Sequence, residues 1–251
     1  MPKLVILGTS NAVANEEHEN THMVLVGQER SVLIDCVSSP IVRLSKAGVD
    51  FNHLTDLILT HFHPDHVSGV PLLLMDMWLL GRKLPLNIYG LSHTLERIQK
   101  LMDLYDWSGW PNFFPVSFTI LPEEEMSLVF ECSEYRVLAS PVRHLIPTVG
   151  LRVEFFQVDK IFAYSCDTEP VKSVVNLASG ADVLIHEAAG ASRGHSSAAQ
   201  AGEVARESEV GALYLIHYPS GKSDPVALVS EASQFFGGPV ALAEDFMVLD
   251  F

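Results

Sequence analysis

Three imidazoles and a carboxylate fall within one short run, His61-Phe62-His63-Pro64-Asp65-His66. Side chains of an extended segment alternate between faces, so His61 and His63 point the same way and can grip one ion. Pro64 fixes φ and turns the chain, which lets Asp65 and His66 face a second position close by. This nitrogen and oxygen donor set suits zinc, with iron or manganese as alternatives. A polar loop that merely holds histidines is the bland alternative. Four convergent ligands, however, need a cation to offset their desolvation.

A ligand loop needs rigid support. Residues 57–60, apolar and partly β-branched, read as a short buried strand that ends on the run. Other candidate donors also stand at strand ends. His217 closes Leu213-Tyr214-Leu215-Ile216, His144 follows a strand at 135–140, and Asp167 follows Ile161-Phe162-Ala163-Tyr164. Asp35 ends a strand at 31–35. Glu187 and His195 form a further pair, with His195 just before a helix starting near Ser196 whose free N–H groups favour an anion. His186 points to the opposite face from Glu187 if its strand continues, and reads as structural. His18, His22, His53 and His93 read as surface or packing residues.

The remaining elements follow from periodicity. Strands are predicted at 4–7 and 23–26, then a helix over 40–47 with Ser39 as cap, Pro40 in the first turn and Gly48 as the stop. After the ligand loop comes a helix over 67–80, apolar nearly all round and so covered by the core or by a partner. A strand at 86–89 and a helix from Ser92, its cap, to about Leu104 follow. Residues 105–115 carry Trp107, Trp110, Phe113 and Phe114 amid glycine and proline. They form a substrate-facing loop or, the better reading, one pinned by its own aromatics. Strands crowd together at 116–121, 127–131, 135–140, 148–156 and 161–164. The rhythm then changes to helix (170–178), strand (183–186), helix (196–208), strand (212–217) and helix (225–236), with a last strand near Leu249. Two β-rich halves carrying helices suit two packed sheets with helices outside.

Composition bounds the function. The 251 residues, 48% of them hydrophobic, support a sizeable core and are read as one domain spanning 1–251. Mean hydropathy is +0.22, which suits a folded chain. The net charge of −15 argues against a broad basic surface for nucleic acid, although a local basic patch or a metal-centred anion site remains open. Cys36, Cys132 and Cys166, odd in number and widely spaced, argue against a disulfide framework. No apolar stretch reads as a signal peptide or a membrane span, so a cytoplasmic protein is expected.

The pattern His-x-His-x-Asp-His resembles the signature of the metallo-β-lactamase superfamily. More of the chain resembles the ribonuclease Z branch in order and spacing. These stretches are Leu4-Val5-Ile6-Leu7-Gly8-Thr9-Ser10, Asn20-Thr21, Leu33-Ile34-Asp35-Cys36, Gly81-Arg82, Pro85-Leu86-Asn87-Ile88-Tyr89-Gly90, His144, Gly150-Leu151-Arg152-Val153-Glu154, Asp167-Thr168, His186-Glu187-Ala188, Gly194-His195-Ser196-Ser197-Ala198 and His217. The resemblance implies an α/β (α+β) fold, the four-layer αββα metallo-β-lactamase sandwich, with metals at one edge between the sheets. It implies His61, His63 and His144 on a first metal, Asp65, His66 and His217 on a second, and Asp167 bridging both. Two Zn2+ are the implied cofactors, with Mn2+ or Fe as alternatives, activating a bridging water as nucleophile. Asp35 would orient an imidazole, and Glu187 would act with His195, the latter giving a proton to the leaving oxygen. The family usually has glycine where Cys166 stands. A thiol near the metals follows, though free cysteine is more often a small buried hydrophobe.

The pattern also departs from that branch. His144 and Asp167 lie only 23 positions apart (167 minus 144), where ribonuclease Z enzymes place a long basic arm that grips the tRNA body. Val37-Ser38-Ser39-Pro40 replaces a Gly-Glu-Gly-Thr-like stretch, and Tyr218-Pro219-Ser220-Gly221-Lys222 replaces a Ser/Arg-bearing run. The expected protein is therefore a dinuclear metal-dependent hydrolase, a phosphodiesterase for small or short phosphodiesters. Catalytic roles fall to Asp65, Glu187 and His195. Precursor tRNA and membranes are not expected partners, and a homodimer is admitted. The alternatives are a carboxylic ester or lactone hydrolase, a true tRNA 3′-processing endonuclease, and a metal-binding protein without catalysis.

Overall fold

Period-two hydrophobicity sets the layers. In the first strand Leu4 and Ile6 join one buried cluster while Val5 and Leu7 join another, and in the second Met23 and Leu25 part from Val24 in the same way. Strands apolar on both faces must be covered on both faces. The computed structural model, which describes residues 2–221 and 224–251, shows how. Lys222, in the run after His217, lies outside the described residues.

The first sheet takes β1 (Lys3–Gly8), β2 (His22–Val26), β3 (Ser31–Ile34), β4 (Asp56–Ile58), β5 (Leu86–Gly90) and β6 (Val116–Ile120). The second takes β7 (Ser127–Glu131), β8 (Tyr135–Val142), β9 (Thr148–Phe155), β10 (Lys160–Tyr164), β11 (Val183–Glu187), β12 (Ala212–Ile216) and β13 (Val240–Leu242). A last strand, β14 (Val248–Asp250), returns to the free edge of β1, so each sheet has seven strands. Pairing is parallel from β3 to β6 and from β10 to β13, and antiparallel elsewhere.

Between the sheets lies a dry layer that includes Ile6, Leu25, Ile34, Val137, Leu151, Phe162 and Tyr164. The outer face of the first sheet is covered by α1 (Pro40–Lys46), α3 (Val70–Leu79) and α4 (Ser92–Asp103) through Leu44, Leu73, Met77, Leu95 and Ile98, with the single turn α2 (Pro64–Val67) preceding α3. The second sheet is covered by α5 (Lys172–Ala178), α6 (Ala198–Glu207) and α7 (Pro225–Phe236) through Val174, Val204 and Ala232. The layers run αββα. No helix among the described residues is long and apolar enough to cross a membrane.

Several local expectations are corrected. The helix expected over 67–80 is two pieces, because the backbone at the break pairs elsewhere: Cys36 N–H donates to His66 O at 2.8 Å and Gly69 N–H to Cys36 O at 2.9 Å. Within α3, Val70, Leu73, Leu74 and Met77 are buried while Leu72 and Leu79 face outward. The strand expected over 57–60 ends at Ile58, which leaves Leu59 and Thr60 in the ligand loop. Ser39 stands at the N-cap of α1 as expected, but its side chain makes no cap bond. Ser92 is the first residue of α4 rather than its cap, since the Leu91 carbonyl accepts from Thr94 and Leu95. The aromatic segment is pinned, as the better reading has it, by its own rings and by one from α3: Trp107 meets Phe113 edge-on at 5.7 Å, Trp78 stacks on Trp110 at 4.9 Å, and Trp78 Nε1 donates to Pro111 O at 2.9 Å. Between β9 and β10 only a four-residue turn intervenes, 156–159, and the two strands pair antiparallel.

Helices α6 and α7 touch backbone to backbone at Gly202, where an added Cβ would lie 2.3 Å from Ala232 O. Gly202→Ala must push the helices apart. A loss of about 1–3 kcal/mol is expected for such overpacking. Chemical denaturation measures it, and an unchanged midpoint would show that α7 yields freely.

Candidate metal centre

Every candidate donor leaves the carboxyl end of a strand. Asp35 follows β3, His61 to His66 follow β4, His144 follows β8, Asp167 follows β10, Glu187 ends β11 and His217 follows β12. At the ends of parallel strands the ladder stops and side chains project into a crevice, the usual place for a site in open α/β sheets. Three of these exits are strained. Asp35, Cys166 and His217 hold φ of 60°, 54° and 54°, in the left-handed region that non-glycine residues rarely occupy. Glycine suits such a position sterically, which accounts for its expected presence where Cys166 stands.

The exits converge on two adjoining clusters. In the first, His61 Nε2 lies 3.0 Å from His63 Nδ1, and His144 Nε2 lies 3.1 Å from the same His63 atom. Tetrahedral zinc with bonds of about 2.0–2.1 Å sets its donors about 3.3 Å apart. In the second, Asp65 Oδ2 lies 3.7 Å from His66 Nε2 and 4.0 Å from His217 Nε2. One atom reaches both: Asp167 Oδ2 is 3.3 Å from His217 Nε2, 3.5 Å from His66 Nε2, and 3.9 Å from the Nε2 of both His61 and His144. His66 Nε2 and Asp167 Oδ1 are buried with no hydrogen-bond partner among the described residues. Orphaned polar atoms amid converging lone pairs are costly unless a cation satisfies them. The donor set therefore fits two adjacent metal ions.

Electrostatics agree at most of these positions. The exception is His66, where burial lowers the imidazole but Asp167 and Asp35 outweigh it and hold it well above its ordinary value, so this ring gives up a proton when a cation binds. Burial holds His61 well below the ordinary imidazole value, lowers His144, and brings His217 down to about 4, so these rings present neutral lone pairs. Burial alone would raise Asp167, but His217 and His66 outweigh it and hold the carboxyl well below the usual range. Neutral imidazole and ionised carboxylate are the forms that bind metal.

The far side of each ring fixes which nitrogen faces inward. His66 Nδ1 donates to Asp35 Oδ2 at 2.7 Å. Burial raises the Asp35 carboxyl, yet His66 and Thr60 oppose that, and every polar neighbour is a donor, so it acts as an acceptor. His144 Nδ1 donates to Gly194 O at 2.7 Å, and a Cβ at Gly194 would approach that ring nitrogen to 3.0 Å. Thr21 Oγ1 donates to Ser10 O at 2.9 Å, which leaves its lone pair for His217 Nδ1–H at 3.2 Å. Thr21 and Gly194 were not expected to act on the site. Both belong to stretches matched to the ribonuclease Z branch, but a carbonyl and a hydroxyl carry no metal signal of their own.

Glu187 and His195 flank the clusters. His195 Nδ1 donates to Glu187 Oε1 at 3.0 Å, and its ring lies 4.8 Å from that of His144 and 6.0 Å from that of His217. Burial pushes Glu187 up to about 7, against the pull of His195 and the Ala189 N–H. The bond to Glu187 in turn raises His195. The expected anion site at the following helix is corrected. Helix α6 starts at Ala198, and the N–H groups of Ser196, Ser197, Ala199 and Gln200 around its start are engaged internally. Ser197 caps Gln200, Ala199 N–H donates to Glu231, and Ser196 N–H donates to Glu187 Oε1 at 3.2 Å. His186 Nδ1 donates to the Glu187 carbonyl and joins neither cluster, and buried His22 donates to Asn20 O.

An αββα sandwich with this donor set is a metallo-β-lactamase-superfamily, metal-dependent hydrolase of the ribonuclease Z-like branch. Residues 2–236 match the model of the family described as Anti-Pycsar protein Apyc1, and the chain belongs to that family. Ribonuclease Z from Methanothermobacter thermautotrophicus is 28% identical over 306 aligned positions, covering 100% of this chain and 97% of the relative. The metallo-β-lactamase fold protein YhfI from Bacillus subtilis superposes with a TM-score of 0.84 at 22% identity, covering 99% of this chain and 98% of its own. Human tRNase Z, short form, superposes at 0.78 with 26% identity and the same coverages.

Cys36 and Cys166 are fully buried, and burial pushes both thiols well above their ordinary value. Cys132 is partly exposed. Ellman's reagent should therefore modify one thiol quickly in the native protein and all three after unfolding. Rapid reaction of two or three native thiols would place Cys36 or Cys166 within reach of solvent.

Proposed function

We propose that this protein hydrolyses small phosphodiesters, cyclic or alkyl, at a dizinc centre held by His61, His63, His144, Asp65, His66, His217 and Asp167. The observation that carries the reading is the stretch between His144 and Asp167. It is filled by paired strands β9 and β10, and no extended arm projects there to grip a large RNA. Charge supports it, since binding of nucleic acid scales with phosphate neutralisation and the chain has 16 Lys and Arg against 31 acids. Glu187 and His195 beside the clusters favour phosphoester over carboxylic ester or lactone chemistry because they match the pair that, in the ribonuclease Z branch, gives a proton to the leaving oxygen of a phosphodiester.

Two zinc ions bound there supply Lewis acidity and a nucleophile available at neutral pH. The protein's own residues do the rest. Asp65, partly exposed at the second cluster, would help hold a metal there with His66 and His217 and would orient the attacking water. Glu187 accepts from His195 Nδ1 and thereby raises the imidazole, so the protonated ring carries a second proton, on Nε2, to be given to the leaving oxygen. The buried ligands exclude bulk water from one side of the site and strengthen the electrostatics there.

The deciding experiment sets a small phosphodiester beside a precursor tRNA at one stated salt concentration, with zinc content measured alongside. Cleavage of the small substrate, poor tRNA processing and close to two zinc ions per chain are expected. Efficient tRNA 3′ processing with negligible small-substrate turnover would overturn the reading.

The acid is tested separately. His195→Ala should keep its metal and lose about 10²–10⁴-fold in kcat for a poor leaving group. For nitrophenolate, which needs little protonation, the loss should be smaller, and His63→Ala should lose metal and activity together. Equal, small losses for both leaving groups at full metal content would remove His195 from the chemistry.

A further inference from the structure

The first cluster uses Nε2 of His61, and its other nitrogen also has a partner. His61 Nδ1 lies 3.1 Å from Thr60 Oγ1. That hydroxyl lies 2.9 and 2.8 Å from the two carboxylate oxygens of Asp35, and the Thr60 backbone N–H donates to Oδ1 at 2.9 Å. Asp35 Oδ2 also accepts from His66 Nδ1 at 2.7 Å. All four residues are fully buried.

Proton counting gives this chain one direction. A carboxylate only accepts, so the single Thr60 hydroxyl proton goes to Asp35. The hydroxyl lone pair is then free to accept from His61 Nδ1–H. Cys166 Sγ is the competing acceptor, but it stands farther off, at 3.6 Å, and sulfur accepts weakly. His61 is thereby held with its proton on Nδ1 and its Nε2 lone pair toward the cluster. Asp35 imposes the same tautomer on His66 directly.

We propose that the Thr60 hydroxyl is a positioning group that extends the hold of Asp35 to His61, so that one buried carboxylate orients a ligand in each of the two metal positions. The inference rests on the dinuclear reading above. It goes further in making the two positions share one orienting group, at a residue that ligates nothing.

The test reads metal affinity rather than turnover. In a His217→Ala background only the position of His61, His63 and His144 keeps all its imidazoles, and competition with a chromophoric chelator measures its zinc affinity. Thr60→Val keeps the side-chain shape and removes the hydroxyl. It should weaken that affinity about 10–100-fold, the range for outer partners of metal ligands. Thr60→Ser should stay close to the parent. Equal affinities for Val, Ser and parent would overturn the relay, because a merely structural threonine would alter stability and not the affinity of the folded chain. Nitrogen-15 NMR of the unmutated protein needs no variant to fold. A bonded proton on His61 Nδ1 is expected, and the opposite tautomer would overturn the relay whether or not zinc binds. Absence of zinc binding by the unmutated chain would instead defeat the dinuclear reading.

Discussion

One carboxylate oxygen, Asp167 Oδ2, sits within 4 Å of four inward-facing imidazole nitrogens, and the rest of the architecture makes that crowding tolerable. A buried anion beside neutral lone pairs has too few protons to satisfy every neighbour. Cations resolve the conflict, and only while the donors cannot drift apart. The two sheets supply that restraint. The first contributes His61, His63, Asp65 and His66 from the end of β4, and the second contributes His144, Asp167 and His217 from the ends of β8, β10 and β12. The interlayer core of Ile34, Ile58, Tyr164, Cys166, Ile185 and Ile216 lies behind those ends. Separation of the clusters is therefore set by packing in the sandwich as much as by the ligands themselves.

Backbone strain also marks the same edge. Asp35, Cys166 and His217 each take up left-handed backbone directly after or close after a strand. A residue held there costs of order 1–3 kcal/mol and persists only when its surroundings over-determine it. Here the surroundings are specific. Asp35 N–H donates to Ile58 O at 2.9 Å and His217 N–H to Thr9 O at 2.8 Å, so the bent backbone is pinned while its side chain turns into the site. Stability spent on these bends places acceptors and donors where an extended strand would carry them past the clusters.

How much of this was legible in the sequence depends on how local each signal is. The motif from His61 to His66 carries its chemistry within a few residues, and the period-two strands made two packed sheets readable. His144, Asp167 and His217 are single residues at strand ends. Only resemblance to a known branch singles them out, because their contacts with the motif span from 81 positions (His63 to His144) to 152 (217 minus 65). Helix starts were the weak point. Ser39 does stand at the N-cap of α1 with Pro40 in the first turn, though its hydroxyl makes no cap bond, whereas Ser92 yields the cap position of α4 to the extended Leu91. At α6 the residues are right and the consequence was missed, since reciprocal bonds between Ser197 and Gln200 use the donors that an external anion would need. Thr21, Gly194 and Thr60 were invisible as site residues because their role is to hold a ring nitrogen, which any hydroxyl or carbonyl can do.

The structure also separates chemistry from grip. Chemistry needs the strand ends, and these are tied into the core from both sheets, so they tolerate little change. A grip on a large substrate is built from insertions between strands, which a sandwich accepts at small cost because loop entropy grows slowly with length. The alignment with the archaeal ribonuclease Z spans 306 positions against 251 residues here, so 55 of those positions have no counterpart in this chain. The tight turn between β9 and β10 is one place where nothing extra is inserted. Losing such segments leaves every ligand exit in place, and the acidic surface that remains repels a polyanion. On the proposed reading the clusters take a single phosphodiester presented to them directly, and selectivity then comes from the ligands and from Glu187 and His195 rather than from distant contacts.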